Sequence, residues 1–166
     1  MTEEIVKEPE FFDQKDKQIL LILQDNGRES LTNIAKKVGL SIDSVKARIE
    51  KLHKKGIIDR IKALLVPRNM GYPLVADIKI KLHNNTQETT EQFIAHLKNH
   101  PRVIDLLSLM GDYDLTCVLI AKNPTELETI QQQIRQKFNT IIADWRGFLI
   151  LKVHKFEEYA LEQIPL

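Results

Sequence analysis

The 166-residue sequence predicts an α+β protein built in two parts, and three observations carry that reading. Two short amphipathic helical patterns flank a Val-Gly-Leu-Ser turn between 31 and 55. The stretch Pro67-Arg68-Asn69-Met70-Gly71-Tyr72-Pro73 then packs two prolines and a glycine into seven residues, which marks a boundary. Beyond it, strand-like and helix-like patterns alternate in the order βαββαβ, the order of a ferredoxin-like split βαβ domain. The expected parts are an N-terminal tail over 1–12, a winged-type helix-turn-helix over 13–66, a linker over 67–73, the βαββαβ domain over 74–155 and a C-terminal tail over 156–166.

Composition sets the frame. Apolar residues make up 43% and charged residues 28%, a balance that supports packed cores in a water-soluble chain. The longest apolar runs, such as Ile19 to Leu23 and Phe148 to Leu151, fall far short of a membrane span. The acidic start lacks the charge pattern of a signal peptide, so a cytoplasmic location is expected. Cys117 is the single cysteine and sits in a strand-like run, which removes a disulfide framework or a thiolate zinc set and suggests a small core residue.

Residues 1–10 hold four glutamates and little to bury, and a mobile tail is expected up to Phe11 and Phe12. Asp13 can cap a helix carrying Ile19, Leu20, Leu21, Ile22 and Leu23. Five successive apolar residues also suit a buried strand, but the cap and the Gln24-Asp25-Asn26-Gly27 stop favour a helix that meets a second element or subunit.

Ser30 can cap the next helix, Leu31 to Val38, in which Ile34, Ala35 and Val38 share a face. Gly39 closes it where a residue without Cβ can turn left-handed, and Ser41 can cap a third helix. There Ile42, Val45, Ile49 and Leu52 recur at spacings of three and four, one apolar stripe. Asp43, Ser44, Ala47, Lys51 and Lys54 turn to the opposite side, while Arg48 sits on the flank.

That opposite face suits a DNA major groove: short side chains near the helix start permit close approach, and lysines further along reach phosphates. Arg48 is suited to a base edge or a phosphate. An ordinary solvated helical hairpin would show a similar pattern, and local charge argues against it. Between Ser30 and Lys62 nine Lys or Arg face three acids, a local +6 against +1 for the whole chain. Gly56 ends the helix, and Ile57 to Pro67 reads as a strand whose Arg60 and Lys62 can touch DNA backbone as a wing does or simply face solvent.

In the second part, Leu74 to Leu82 alternates apolar residues with Asp77, Lys79 and Lys81 and reads as a strand. A helix with Phe93, Ile94 and Leu97 follows and stops before Pro101. Val103 to Met110 and Leu115 to Ala121 are strands joined through Gly111-Asp112-Tyr113-Asp114. Asn123-Pro124-Thr125-Glu126 places a cap, a first-turn proline and a glutamate in helix-starting order. Leu127, Ile130 and Ile134 face its core, and Trp145 to His154 reads as the last strand. Leu107 and Leu109 alternate with Leu106 and Met110, and Phe148 and Ile150 with Leu149 and Leu151, so both sheet faces read as apolar. A homodimer joined through the uncovered face is expected, presenting two recognition helices to a pseudo-palindromic double-stranded DNA site with half-sites about 34–36 Å apart or a multiple.

Asp13, Asp16, Ile19, Leu20, Leu23, Asp25-Asn26-Gly27-Arg28, Ile34-Ala35, Gly39-Leu40-Ser41, Val45, Arg48-Ile49, Leu52 and Gly56-Ile57-Ile58 resemble the N-terminal signature of the Lrp/AsnC (feast/famine) transcription regulators. The loop Gly111-Asp112-Tyr113-Asp114 resembles the Gly-Asp-Tyr/Phe-Asp motif of the same family's effector (RAM-type) domain. Read alone, that loop is an ordinary tight turn. The resemblance covers Asp13 to about Lys155 and implies an amino-acid effector held between subunits, with dimers assembling into larger rings such as octamers. Loop amides would hold the effector's carboxylate, an Asp would pair with its ammonium, and Leu149, chosen by position like Ser108 and Thr116, would line a side-chain pocket.

Rival readings leave weaker traces. No phosphate loop, nucleophile elbow or metal cluster points to an enzyme, and no cofactor is expected. His96 and His100, four apart on a helix, are the one pair open to a metal-responsive regulator, though favourable charge at a helix end explains them too. A nonspecific, chromatin-like DNA binder is the other alternative.

Overall fold

The structure, a computed structural model, describes residues 12–163. The tail expected over 1–12 lies outside these residues except for Phe12, as do 164–166. Among the described residues, no helix is long and apolar enough to cross a membrane. They form two compact units: 12–64 together with 155–163, and Leu65–His154.

The first unit holds α1 (Gln14–Asp25), α2 (Leu31–Val38) and α3 (Ile42–Lys54). Each begins on the cap that the sequence supplies. Asp13 accepts from the amides of Lys15 and Asp16 while the Asp16 carboxylate accepts from the Asp13 amide, a reciprocal capping box. Ser30 accepts from Asn33 N and Ser41 from Ser44 N. Gly39 closes α2 at φ 71°, and the Lys15 ammonium reaches over to the Val38 carbonyl that the helix leaves unpaired.

The run Ile19 to Leu23 is helical, yet only Ile19 is fully buried, packed with Ile34, Ala35, Val38 and Val45. Ile22, Leu23, Leu40 and Ile49 close the edge of this small core. Ile42, expected in the stripe, remains 45% exposed at the first position of α3.

The strand expected over Ile57 to Pro67 is not formed. Residues 57–66 lie in no strand, and Ile61, Leu64, Leu65 and Val66 are exposed. An extended segment needs a partner to satisfy its backbone, and none is present in this unit among the described residues. The segment starts instead by folding back on α3: the amides of Ile57 and Ile58 donate to Leu52 O, and His53 Nδ1 lies 2.8 Å from Ile58 O. Residues 155–163 join the same unit, where Gln24 and Tyr159 exchange hydrogen bonds of 3.0 and 2.9 Å between side-chain amide and backbone.

The second unit opens with a 3₁₀ turn at Pro67–Met70 and continues as β1 (Leu74–Leu82), α4 (Gln87–Lys98), β2 (Val103–Ser108), β3 (Leu115–Ala121), α5 (Pro124–Lys137) and β4 (Ile142–Leu149). The sheet is antiparallel in the order β2-β3-β1-β4, the ferredoxin-like arrangement. Asn123 caps α5 with Pro124 at its first turn, as the sequence reads. The last strand runs 142–149 rather than from Trp145 to His154, because the stretch after Phe138 already pairs with β1 from Leu82 onward. Likewise β2 ends at Ser108, before Leu109 and Met110.

One sheet face is the core. Ala76, Ile78, Ile80, Leu115, Cys117 and Leu119 meet Phe93 and Leu97 of α4 and Leu127, Ile130 and Ile134 of α5. The opposite face differs from the all-apolar surface expected. Register places Leu107, Thr116, Lys79 and Arg146 in one row across the four strands, and Asp105, Val118, Asp77 and Phe148 in the next. The alternation of β1 turns its charged residues to this side, so the face is charged at its centre, with Lys79 and Asp77 paired at 2.8 Å. Its apolar content lies in Val75, Leu107, Val118, Ile120 and Phe148. Leu109, Met110, Ile150 and Leu151, counted toward the face from sequence, fall beyond the strand ends.

Candidate nucleic-acid interface and ligand loop

The surface of α3 follows from its caps and its stripe. With Val45 and Leu52 buried, Ser41, Asp43, Ser44, Ala47, Lys51 and Lys54 are all exposed. The N-terminal end is low in profile: Ser41 Oγ donates to Ser44 Oγ at 2.8 Å, holding both hydroxyls close to the backbone. Lys51 and Lys54 follow about two and nearly three turns after Ser44. Glu50, which the sequence reading left out, is exposed on the same side one turn before Lys54 and is suited to accept from a cytosine amino group.

Arg48, expected on the flank of α3 to serve a base edge or a phosphate, is held by two carboxylates at the start of α1. Its Nη1 donates to Asp13 Oδ2 at 2.6 Å and to Asp16 Oδ1 at 2.7 Å, and Asp16 is 2% exposed. The Asp13 and Asp16 bonds raise the guanidinium pKa further. Burial pushes the Asp13 carboxyl up, but the Asp16 amide, Arg48 and the Lys15 amide together outweigh it and hold it below the usual range. Arg48 therefore ties α3 to the start of α1. Sequence carried a trace of this in the acid pair ahead of an apolar helix, but not its partner.

In the second unit, Gly111, Asp112, Tyr113 and Asp114 connect β2 and β3. Gly111 has φ +152° and open space around it, and Asp112 is exposed. Tyr113 Oη donates to Asp144 Oδ2 at 3.4 Å, with the Arg146 guanidinium 6.0 Å from the Tyr113 ring centre. Asp114 is already engaged: it accepts from Leu82 N at 2.7 Å and Lys81 Nζ at 3.2 Å, while its own amide donates to Ile80 O. The Leu82 amide and Lys81 hold its carboxyl below the usual range against the opposing effect of burial.

Leu149 is 55% exposed at the end of β4; Ser108 closes β2, and Thr116 bonds Asp77 on the sheet face at 2.5 Å. His96 and His100 hold their rings 6.2 Å apart. Among the described residues no set of three or more His, Cys, Asp or Glu is placed to hold a metal ion.

Residues 12–59 match a family described as winged helix-turn-helix DNA-binding, and residues 75–158 match the Lrp/AsnC ligand binding domain. The chain belongs to the Lrp/AsnC family. Among curated Lrp/AsnC-like relatives, the HTH-type transcriptional regulator FL11 of Pyrococcus horikoshii is 29% identical over 143 residues, covering 86% of this chain and 91% of that one. The proline dehydrogenase transcriptional activator of Rhodobacter capsulatus is 33% identical over 63% of this chain and 68% of its own. An AsnC family regulator from Agrobacterium tumefaciens superposes with TM-score 0.80 at 25% identity, over 91% and 98% of the two chains. A Neisseria meningitidis regulator, solved as a complex with L-Met, shares the fold at TM-score 0.79 and 24% identity, over 87% and 93%. This Lrp/AsnC chain is thus a transcriptional regulator with a DNA-binding helix-turn-helix and a ligand-binding domain.

Proposed function

We propose that this regulator binds a pseudo-palindromic duplex as a homodimer or larger assembly, and that an amino acid held between subunits at Gly111–Asp114 modulates it. The observation that carries the DNA reading is the exposed face of α3, where Ser44 and Ala47 lie ahead of Lys51 and Lys54. Ser44, Ala47, Asp43 and Glu50 meet base edges, Lys51 and Lys54 meet phosphates, and Ser41 presents the helix start. Arg48 acts as a positioning residue, setting the angle of α3 through Asp13 and Asp16.

Dimerisation is supported by the open sheet face. Leu107 is 59% and Phe148 55% exposed there, beside charged rows that a two-fold copy can pair reciprocally. The amino-acid reading is supported by the loop itself and by the Neisseria neighbour with L-Met. Because Asp114 already serves Leu82 and Lys81, Asp112 is the carboxylate for the ligand's ammonium, with Gly111 giving room for its carboxylate near loop amides and Leu149 at the side chain.

The test is selection of bound duplexes from a random pool, with and without a mixture of amino acids. A recovered pseudo-palindrome supports the sequence-specific reading, and a change on adding amino acids supports the effector loop. Recovery of no preferred sequence in either condition would leave a nonspecific DNA binder.

A further inference from the structure

A groove of about 580 Å³ opens on the helical side of the second unit, away from the Gly111–Asp114 loop in sequence and independent of the reading given to it. Its walls come from the C-terminal ends of α4 and α5: Gln92, His96, Asn99 and His100 on one side, Lys137 and Phe138 on the other. Its size lies within the range of small-molecule sites. No residue lining it is acidic.

The groups in it converge. Lys137 Nζ lies 3.2 Å from His96 Nδ1 and 5.6 Å from the Phe138 ring centre. The His96 ring lies 5.1 Å from that of Phe138, and Phe138 is itself anchored 4.7 Å from the fully buried Phe93. A cation, two imidazoles and two side-chain amides thus border a fixed aromatic surface. Burial, then Lys137 and His100, hold His96 below its ordinary pKa; burial, then Arg102, do the same at His100. A negative charge placed among them favours the protonated imidazoles and offsets the lowering effect of Lys137 and Arg102.

We propose that this groove is a second ligand site of the regulator, taking a small organic anion with a flat apolar body, such as an aromatic carboxylate. The anion's head meets Lys137 and the imidazoles, and its ring lies against Phe138.

The test follows the imidazole resonances of the full-length protein by NMR during titration with benzoate, acetate, inorganic phosphate and zinc separately. Benzoate should move His96 and His100 together and saturably, and roughly tenfold more tightly than acetate or phosphate, which lack the ring. Lys137→Gln should weaken benzoate roughly tenfold, whereas Lys98→Gln, outside the groove, and Asp112→Asn should not. The proposal is overturned if benzoate gives no saturating shift up to about 20 mM, or if Lys137→Gln, folded by its melting curve, binds as before. It is equally overturned if only zinc moves these rings, which would assign the His pair to a metal.

Discussion

Arg48 on α3 donates from one guanidinium nitrogen to both Asp13 and Asp16 across 2.6 and 2.7 Å, and those two carboxylates are also the cap of α1. Three charges therefore join α3 to α1. Arg48→Ala leaves Asp16, 2% exposed, without its cation. The expected cost is about 3 kcal/mol, near the low end for a broken buried pair because Asp13 is partly solvated. Urea unfolding followed by circular dichroism checks it, and an unchanged midpoint would show the pair to be ornamental. At a temperature where the variant is folded, DNA affinity should fall for every sequence alike.

Lys51→Ala and Lys54→Ala should each lower the slope of log affinity against log salt by about 0.9, the loss of one phosphate contact. Ser44→Ala and Ala47→Ser should leave the slope and alter preference between sequences. Binding titrations at several salt concentrations on specific and random duplexes separate the two groups, and a uniform effect from all four would contradict the division of labour on α3.

Within the ligand loop, Asp112 and Asp114 should part company. Asp114→Ala removes the acceptor of the Leu82 amide and is expected to destabilise the unit by about 1–2 kcal/mol, with Lys81 also losing its partner. Asp112→Asn should change stability by less than about 0.5 kcal/mol yet remove the response to amino acids. Melting curves run beside the DNA-binding assay decide between this and equal roles for the two acids.

Glu29 accepts from Lys37 Nζ at 2.8 Å, Asn33 Nδ2 at 3.0 Å and the Ser30 amide at 3.1 Å, and Lys37 foremost brings its carboxyl down from 4.5 to about 2. The folded value lies below the unfolded one, so its contribution is complete above about pH 4.5 and is lost as pH falls toward 2. Stability measured across that window should decline less steeply in Glu29→Gln than in the parent. Superimposable pH profiles would remove Glu29 from the account.

Burial and the Asp77 charge push the Cys117 thiol up to about 12. The native protein should react with a thiol reagent at neutral pH at least about 10³-fold more slowly than in strong urea, because only unfolding of the sheet exposes the sulfur. Rapid labelling of the native chain would mean that the core opens locally at β3.

Much of this was open to reading from the chain alone, for a local reason. Caps at Asp13, Ser30, Ser41 and Asn123, the left-handed Gly39 and the periodic stripes of α2, α3 and α5 depend on residues within a turn or two of each other, so short-range spacing determines them. The same is true of the exposed series Ser44, Ala47, Lys51 and Lys54, and of the βαββαβ order. Tertiary structure alone decided what depends on distant partners. The strand expected over Ile57 to Pro67 finds no strand to pair with among the described residues, and sequence alternation does not report a missing neighbour. Arg48 is braced against α1 because Asp13 and Asp16, more than thirty residues away, come within hydrogen-bonding distance of it. Asp114 became an anchor through the end of β1, and the open sheet face acquired its charged centre through register, which sets strands from four parts of the chain side by side. The groove of His96, Lys137 and Phe138 exists only because two helices, adjacent to neither one another nor the loop in sequence, end together on the sheet.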